Sequence, residues 1–483
     1  MRQLVKRIEQ FANLYTDRES LVSAGATLSY QTLAQRICNA RDELQALGVR
    51  RLGIYATNSF DWAILDLAAS SADIVVVPIP LFFSAHQVEH LINNSFVDYI
   101  FTDRDFPFAP GQNLASKTLQ GEYVQRNITA PQTLSNYCKV TYTSGSTGQP
   151  KGACLGEGTM MSIVTSLSEA LIPSQLGRHL ALLPFATLLE NVAGIYLALW
   201  MGRSIFIETP DQLGLSSNHT FDPHMFAGQI KASRAESVIL LPQMLKLIVE
   251  ANVAESLAGL KFMAVGGGKV APDLLLNAQA MGLPVYEGYG LTECGSCVAL
   301  NTPLANRVGS VGKPLPHAQV RIGDSGEVFV TGAAMTGYLQ DMPAPSEIAT
   351  GDAGFIDTEG FLHITGRIKN VIISSYGRNI SPEWVESYFL ADTRIQQMAV
   401  FGEAQPHLSA VFVVLDTLDD LELQELVRTV NEALPDYAKV MAWTRTAKPF
   451  SVDQNTLTSN GKMRRDVIAQ KYFELAYKGE VAA

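Results

Sequence analysis

Short apolar runs rich in β-branched residues alternate with helical patterns along most of this chain, and that alternation constrains the fold more than any other feature. One unit reads as a strand at Leu52–Ala56, a helix at Trp62–Ala69 and a strand at Ile74–Val77. The same alternation recurs as strand, helix, strand and helix over the ranges 236–241, 243–249, 261–265 and 273–280. Units of this βαβ kind build parallel sheets with helices on their faces. The sequence therefore predicts an α/β fold.

The pattern changes after about Val311 to short alternating runs separated by turn residues. Gln319–Ile322 and Glu327–Thr331 flank the turn Gly323–Gly326, which is typical of a β-hairpin. We expect a β-rich subdomain here that closes the large α/β body. With 483 residues, the chain is long enough for two or three packed units.

A polar joint, Gly366–Asn370, separates two strand-like runs, and the chain beyond it is long enough for one small α+β domain. We therefore predict two domains. Residues 1–366 form a large N-terminal domain of layered α/β subdomains plus the β-rich subdomain. Residues 367–483 form a small, mobile α+β C-terminal domain.

Composition and charge exclude several classes of function. The net charge is −11, so the protein's field repels nucleic acid, and we expect no nucleic-acid partner. The longest apolar stretch, Ile74–Phe83, is too short for a bilayer and contains two prolines, so we expect no transmembrane segment. Lys6 and Arg7 interrupt any signal-like core, and five scattered cysteines fit a reducing compartment, so we expect a cytoplasmic protein. Cys294 and Cys297 lack the second ligand pair of a zinc site.

The segment Tyr142–Gly152 reads YTSGSTGQPKG and is dense in groups that bind phosphate. Its glycines permit close backbone approach, its amides and hydroxyls can donate to phosphate oxygens, and its lysine supplies a positive charge. The candidate ligands are Thr143, Ser144, Gly145, Ser146, Thr147, Gly148 and Lys151. The segment does not fit the pattern G-x-x-x-x-G-K-[ST]. A flexible Ser/Gly linker is the alternative, which the apolar flanks on both sides disfavour.

At this segment the chain resembles the adenylate-forming superfamily of acyl-CoA synthetases, peptide-synthetase adenylation domains and luciferases, and it looks closest to bacterial long-chain acyl-CoA synthetases. Further segments resemble the family's motifs in the expected order: Tyr286–Glu293 (YEGYGLTE), Thr350–Asp352, Gly366–Arg367, Ile372–Glu386 and Asn460–Lys462. The resemblance implies an AMP-forming acid–thiol ligase that uses ATP, Mg²⁺ and coenzyme A. It also implies that the predicted N-terminal domain binds the nucleotide and that the C-terminal domain is a lid carrying the catalytic lysine.

The run GYGLTE places an aromatic ring beside polar groups. The ring of Tyr289, between Gly288 and Gly290, can lie flat against a purine. Thr292 can donate to a phosphate, and Glu293 can hold Mg²⁺ through oxygen. The resemblance implies the same roles and makes Thr292 and Glu293 catalytic. A glycine-rich turn around a core tyrosine is the alternative.

Four more residues are candidates for binding the nucleoside. Gly266 and Gly267 resemble the family's adenine-side loop. Asp352 can accept both hydroxyls of a ribose, and Arg367 can donate to the same sugar from the domain joint. A lone aspartate in a Thr-Gly-Asp turn is otherwise a local cap, and the resemblance favours the ribose contact.

The resemblance assigns roles to the chain beyond residue 366. Lys462 is the lysine that enters the nucleotide site and stabilises charge on the α-phosphate during attack by the carboxylate. Lys369 occupies the hinge about which the small domain swings. Gly377 and Arg378 belong to a loop that lines the tunnel for the thiol acceptor.

The segment Leu183–Glu190 gives the evidence on the acid substrate, because it resembles a segment of long-chain acyl-CoA synthetases. Thr187 stands where those proteins usually carry a histidine, and Thr187 and Glu190 are our candidates for the acyl pocket. The segment has no aspartate to pair with a substrate ammonium, which disfavours amino acids. We predict activation of a fatty or other apolar carboxylic acid to an acyl-adenylate with release of pyrophosphate, followed by transfer to coenzyme A.

Two alternatives stay open. A fatty-acyl-AMP ligase would load an acyl carrier protein, and exposed arginines at 378, 464 and 465 could meet such an acidic partner. A non-catalytic nucleotide- or acyl-binding regulator would share the fold. The regulator is disfavoured because a degenerate copy has no need to keep Lys151, Glu293 and Lys462.

Overall fold

In the computed structural model of the chain, the described residues are 1–108, 111–128, 136–143, 150–216, 220–339, 341–375, 378–458 and 461–476. Six predicted site residues lie outside these ranges: Ser144, Gly145, Ser146, Thr147, Gly148 and Gly377. None of the helices in these ranges combines the length and apolar character needed to cross a bilayer.

Helices and strands alternate as the sequence predicts. The helices are α1 Arg2–Leu14, α2 Tyr30–Leu47, α3 Phe60–Ser71, α4 Ala85–Asn94, α5 Glu157–Leu171, α6 Leu197–Trp200, α7 Pro223–Ser233, α8 Pro242–Glu250, α9 Pro272–Ala280, α10 Pro382–Phe389, α11 Asp420–Ala433 and α12 Arg465–Ala476. The strands are β1 Glu19–Val22, β2 Thr27–Ser29, β3 Arg51–Tyr55, β4 Val75–Pro78, β5 Tyr99–Thr102, β6 Gln112–Ala115, β7 Glu122–Gln125, β8 Lys139–Thr143, β9 Lys151–Leu155, β10 His179–Leu180, β11 Ile205–Phe206, β12 Ser237–Leu240, β13 Phe262–Val265, β14 Val285–Tyr289, β15 Ala299–Leu300, β16 Lys313–Pro314, β17 Gln319–Ile322, β18 Glu327–Thr331, β19 Gly337–Tyr338, β20 Ile348–Ile356, β21 Leu362–Arg367, β22 Ile372–Ile373, β23 Asn379–Ile380, β24 Ile395–Phe401, β25 Leu408–Val414 and β26 Val440–Thr446.

Two large sheets with parallel centres form the body of the protein. The first has the strand order β19-β9-β8-β4-β3-β5-β7-β6, and the second has the order β16-β15-β14-β13-β12-β10-β11-β1-β2. Strands β10 to β14 run parallel, as the βαβ pattern predicts. One continuous hydrophobic core contacts both sheets and includes residues of α1, α2, α3 and α5. The predicted α/β fold is confirmed.

Local sequence signals explain where these elements begin and end. Helix α2 begins where the Ser29 hydroxyl accepts a hydrogen bond from the Thr32 N–H. It ends at Gly48, whose φ of 72° lies in the left-handed region that favours glycine. Strand β4 is buried at all four positions, because it lies in the interior of a parallel sheet with both faces covered.

The chain after residue 311 is richer in strands. Strands β17, β18, β20 and β21 form an antiparallel sheet, and the β17–β18 hairpin matches the predicted one. Strands β24, β25 and β26 form a further sheet that packs with α10, α11 and α12 around separate hydrophobic clusters. Lys246 of α8 donates from its Nζ to the carbonyl oxygens of Asp392 at 3.3 Å and Ile395 at 2.6 Å. These bonds hold the C-terminal part against the α/β body.

Candidate active site

A large cleft of about 3780 Å³ lies between the α/β body, the antiparallel sheet and the C-terminal part. It includes the carboxyl ends of the parallel strands β12, β13 and β14, which is where open α/β sheets bind ligands. Many of the predicted site residues line it together: Thr143, Lys151, Thr187, Gly266, Gly267, Gly288, Tyr289, Gly290, Thr292, Glu293, Asp352, Arg367, Lys369 and Lys462.

Asp352 is the centre of a hydrogen-bonded group at the candidate ribose site. The register of β20 and β21 places Asp352 opposite Arg367, whose Nε lies 2.8 Å from Asp352 Oδ1. The Tyr289 hydroxyl donates to Asp352 Oδ2 at 2.6 Å. Burial raises the pKa of Asp352, while the Arg367 charge opposes that rise. Tyr289 is therefore anchored through its hydroxyl, which fixes the ring at the end of β14.

Lys462 enters this site from the C-terminal part. Its N–H donates to Thr458 Oγ1 at 3.1 Å. Its side chain is accessible within the cleft, yet the surrounding walls withdraw it from bulk water and lower its pKa. Arg367 lowers the pKa of Lys462 further, and the carboxylates of Glu293 and Asp352 oppose this effect. Among the described residues Lys462 forms no ion pair, so its ammonium is available to a phosphate oxygen.

Glu293 is connected to Lys151 through a tyrosine that sequence analysis did not identify. The Tyr338 hydroxyl donates to Glu293 Oε1 at 2.7 Å, and Lys151 Nζ lies 5.5 Å from the centre of the Tyr338 ring. Tyr338 reaches this position because β19 pairs with β9, where Tyr338 lies opposite Ala153. Nothing in its local sequence marks it, since the pairing joins segments far apart in the chain.

The residues around Glu293 fit a magnesium ion that arrives with a nucleotide. In the described ranges, no group of three or more His, Cys, Asp or Glu side chains is placed to hold a metal ion. Glu293 and the neighbouring Thr292 hydroxyl both line the cleft. Mg²⁺ commonly takes only one or two protein carboxylates and completes its shell with substrate phosphates and water. This donor set suits Mg²⁺–ATP better than a metal held by the protein alone.

Two predicted glycines cannot carry a side chain without rearrangement. A Cβ atom at Gly290 would lie 1.9 Å from the carbonyl oxygen of Ser296. Gly267 has a φ of 83°, which favours glycine. Both positions therefore allow the backbone to line the cleft closely. At the start of the phosphate segment, β8 and β9 pair so that Thr143 lies opposite Lys151.

The two candidates for the acyl pocket have different positions. Thr187 lines the cleft, and its hydroxyl donates to the carbonyl oxygen of Pro184 at 2.6 Å. Glu190 is fully buried behind the wall and does not line the cleft. Its Oε1 lies 2.8 Å from His179 Nε2, and its Oε2 accepts from the Leu183 N–H at 3.0 Å. Glu190 thus holds the segment that forms the wall.

The predicted hinge and thiol loop are only partly described. Lys369 lies in a short helical turn, Ile368–Asn370, that directly follows β21. Arg378 is exposed and does not line the cleft, and its guanidinium lies 5.9 Å from the ring centre of Tyr437. These positions leave both roles as predictions.

The expectation that the arginines at 464 and 465 are exposed is wrong. Arg465 bonds to both carboxylate oxygens of Glu386, at 2.5 Å and 2.7 Å, and lies 3.4 Å from Glu383. Arg464 donates to the side-chain oxygen of Asn455. The buried carboxylate of Glu386 needs a positive partner, which draws Arg465 inward. Arg465 is thus paired within the C-terminal part and does not offer a free cationic surface.

The cleft lies at the carboxyl ends of a parallel sheet, the place where open α/β folds bind nucleotides. A family model described as "AMP-binding enzyme" matches residues 8–339, and the chain belongs to this family. Among its relatives, the long-chain-fatty-acid–CoA ligase FadD15 of Mycobacterium bovis is 26% identical, with 91% of this chain and 90% of that protein aligned. The 2-succinylbenzoate–CoA ligase of Listeria monocytogenes is 23% identical, with 96% and 99% aligned.

A solved structure of the o-succinylbenzoate coenzyme A synthetase from Bacillus subtilis, in complex with ATP and magnesium ion, superposes with a TM-score of 0.77. It is 22% identical and covers 95% of this chain and 98% of its own. The predicted family and the predicted enzyme class, an AMP-forming acid–CoA ligase that uses ATP, Mg²⁺ and coenzyme A, are confirmed.

Proposed function

We propose that this enzyme converts an apolar carboxylic acid, fatty or aromatic, to an acyl-adenylate and then to its coenzyme A thioester. The observation that carries the proposal is that Lys462 lines the same cleft as Asp352, Arg367 and Glu293. A substrate carboxylate oxygen attacks the α-phosphorus of ATP, and pyrophosphate leaves with the electrons of the broken phosphorus–oxygen bond. The thiolate of coenzyme A then attacks the acyl carbon, and AMP leaves.

In this reaction the chain mainly orients the reactants and neutralises charge. Asp352, with Arg367 and Tyr289 fixed against it, accepts from the ribose hydroxyls. Lys462 donates to the α-phosphate as negative charge grows there. Glu293 would hold Mg²⁺ when it binds with the nucleotide, and the ion would supply charge neutralisation for the leaving pyrophosphate.

The remaining assignments belong to the same proposal. The phosphates are held by Thr143, Lys151 and the residues between them, including Ser144, Gly145, Ser146, Thr147 and Gly148. We propose the domain division at residue 366/367, with Lys369 as the hinge, and Gly377 and Arg378 as part of the thiol tunnel. The separate hydrophobic clusters of the C-terminal part support this division.

An apolar acid is favoured by the wall of the cleft that includes residues of α5 and α6. Phe185, Leu167, Leu171 and Leu197 line it, and these residues bury apolar surface on a bound acid. The named relatives act on long-chain fatty acid and on 2-succinylbenzoate, so the relatives leave both kinds of acid open. We therefore assign an apolar carboxylate and leave the chain length unassigned.

Coenzyme A is favoured over an acyl carrier protein as the acceptor. The carrier-protein alternative depended on three exposed arginines; Arg378 is exposed, but Arg464 is only partly exposed and Arg465 is bonded to Glu386. The regulator alternative is disfavoured because Lys151, Glu293 and Lys462 line one cleft with the candidate ribose site.

The test is trapping of the acyl-adenylate with hydroxylamine, using ATP, Mg²⁺ and a panel of fatty, aryl, dicarboxylic and amino acids. We expect hydroxamate and pyrophosphate with apolar acids and none with amino acids. Addition of coenzyme A to the positive reactions should yield a thioester without a carrier protein. Formation of a thioester only with a carrier protein would overturn coenzyme A as the acceptor. Absence of hydroxamate and pyrophosphate with every acid, despite ATP binding, would favour the non-catalytic regulator.

A further inference from the structure

The acyl end of the cleft follows one face of the second sheet. His179, Ser237 and Phe262 lie level with one another, because β10 pairs with β12 and β12 pairs with β13 in this register. All three line the cleft. The cleft therefore continues past the carboxyl ends of the strands, along the sheet, to the ends where these strands begin.

Apolar side chains from neighbouring helices also line this cleft. They include Leu167 and Leu171 from α5, Ala193 from the π-helical turn Glu190–Tyr196, and Leu197 from α6. A substrate in this part of the cleft meets hydrocarbon along most of its length, which suits methylene groups or an aromatic ring.

Arg203 lies at the far end of this part of the cleft. Arg203 lies two residues before Ile205, the first residue of β11, and Ile205 pairs with His179. Arg203 lines the cleft, and Gly202 before it has a φ of 67°. Measured along the strands, Arg203 lies five residues from Val265 at the end of β13, which corresponds to roughly 17 Å.

The Arg203 guanidinium has no partner among the described residues: it makes no hydrogen bond and no ion pair there. The neighbouring residues that could pair with Arg203 are already bonded to other groups. Glu236 lies 3.0 Å from Lys261 Nζ and also accepts from the Gly177 N–H. His179 is bonded through both ring nitrogens, to Ser237 and to a buried carboxylate.

Burial lowers the pKa of Arg203 to about 10, and the negative charge of Glu236 opposes the change. The guanidinium is therefore still charged at neutral pH. The Arg203 side chain is partly exposed, so its charge is only partly withdrawn from water, and an anion in the cleft would give it a partner. A guanidinium has the planar, forked geometry that binds a carboxylate through two parallel hydrogen bonds.

We propose that Arg203 binds a second carboxylate at the far end of the substrate, so that the preferred acid is a dicarboxylate with an apolar middle. The inference rests on the proposed function, in which the first carboxylate is adenylated near Lys462. It deepens that function by assigning the chemistry of the substrate's other end. Arg203 is a specificity-determining residue here and takes no part in the bond changes.

The test compares matched pairs of acids in acid-dependent pyrophosphate release. Octanedioic and decanedioic acids are each paired with the analogue in which a terminal isopropyl group replaces the second carboxylate. For the wild type we expect kcat/KM to be higher for at least one diacid than for its analogue by about ten- to a hundredfold, the effect of a hydrogen bond to a charged group. In Arg203→Met this preference should disappear, through loss of activity on the diacid alone.

Two further variants separate a change in specificity from damage to the fold. Arg203→Lys keeps the positive charge and should retain part of the preference. Arg50→Met is the matched control, because Arg50 is exposed and does not line the cleft. This variant should show the wild-type preference for the diacid over its analogue.

Failure of the role proposed for Arg203 and failure of the proposed acid–CoA ligase function give different results. The role of Arg203 is overturned if the wild type prefers both isopropyl analogues, or if Arg203→Met keeps the wild-type preference. Neither result contradicts the proposed adenylation. Activity on monocarboxylic acids with none on either diacid likewise overturns only the role of Arg203. Absence of pyrophosphate release with every acid overturns the proposed function itself. If Arg203→Met loses activity on diacid and analogue alike while Arg203→Lys keeps no preference, Arg203 is structural and the proposal is wrong.

Discussion

Removal of the positive charge of Lys139 should destabilise the α/β body strongly. Lys139 begins β8, the strand that leads into the phosphate segment, and its side chain is fully buried. Its Nζ lies 2.8 Å from Asp66 Oδ1 and 2.6 Å from the Tyr196 hydroxyl, and it also donates to Asn191. Asn191 and Tyr196 in turn donate to Asp66 Oδ2. One buried ion network thus joins α3, β8 and the π-helical turn.

The substitution Lys139→Met leaves the Asp66 carboxylate buried with hydrogen-bond donors but without a counter-charge. Breaking such a pair from one side costs about 3–5 kcal/mol of the free energy of unfolding. The double variant Asp66→Asn with Lys139→Met removes both charges, and it should recover most of that loss. Urea unfolding followed by circular dichroism measures the change as a shift of the midpoint.

The control is Arg428→Ala. Arg428 forms ion pairs with Glu425 and Glu432 on the exposed surface of α11, where water and salt screen such pairs and their contribution to stability is small. A loss in Lys139→Met no larger than the loss in Arg428→Ala would refute the reasoning. So would a double variant as unstable as the single one, because the uncompensated charge of Asp66 would then not be the cause.

Three further predictions concern the walls of the cleft. Gly194→Ala would bring a Cβ atom 2.1 Å from Glu190 Oε1, so we expect the acyl wall to shift and KM for the acid to rise more than KM for ATP in steady-state kinetics. Tyr289→Phe removes the hydroxyl that donates to Asp352, and KM for ATP should rise by about two- to tenfold, as for the loss of one hydrogen bond. Burial raises the pKa of Glu287 to about 8, so the folded state binds a proton that the unfolded state has released above about pH 5. Stability should therefore fall as pH rises toward 8, and the gain from Glu287→Gln in thermal melts should grow over the same range.

Each of these predictions has a contrary result. Equal effects of Gly194→Ala on both KM values would mean that the wall does not belong to the acid site. An unchanged KM for ATP in Tyr289→Phe would remove the Asp352 group from the ribose site. A stability difference between Glu287→Gln and the wild type that is constant from pH 5 to pH 8 would mean that Glu287 does not bind a proton in this window.

Features carried by contiguous residues were predictable from the sequence. The β17–β18 hairpin follows from two alternating runs around a turn, and its observed strands match the predicted ones. The nucleotide-site candidates Tyr289 and Asp352 each lie in a short motif, and the structure brings them within hydrogen-bonding distance. Local signals were sufficient there because each depends on neighbours along the chain.

Features that depend on pairing between distant segments were not predictable. Tyr338 joins Glu293 only because a two-residue strand pairs with β9, and no periodicity marks so short a strand. Glu190 was expected at the acyl pocket, yet its position behind the wall depends on His179 from a neighbouring strand. The pairing of Arg465 with Glu386 likewise joins two helices far apart in the sequence, and charge patterning alone suggested an exposed cation.

The most direct test of the central claim is the rate of acid-dependent pyrophosphate release by Lys462→Ala, compared with Lys448→Ala. Lys448 is an exposed lysine of the same C-terminal part that does not line the cleft. We expect Lys448→Ala to keep the wild-type rate and Lys462→Ala to lose about a hundred- to a thousandfold, the usual effect of removing one group that stabilises transition-state charge. ATP binding should persist in both variants. A wild-type rate in Lys462→Ala would contradict the account, because the residue that carries the proposed function would then not take part in the reaction.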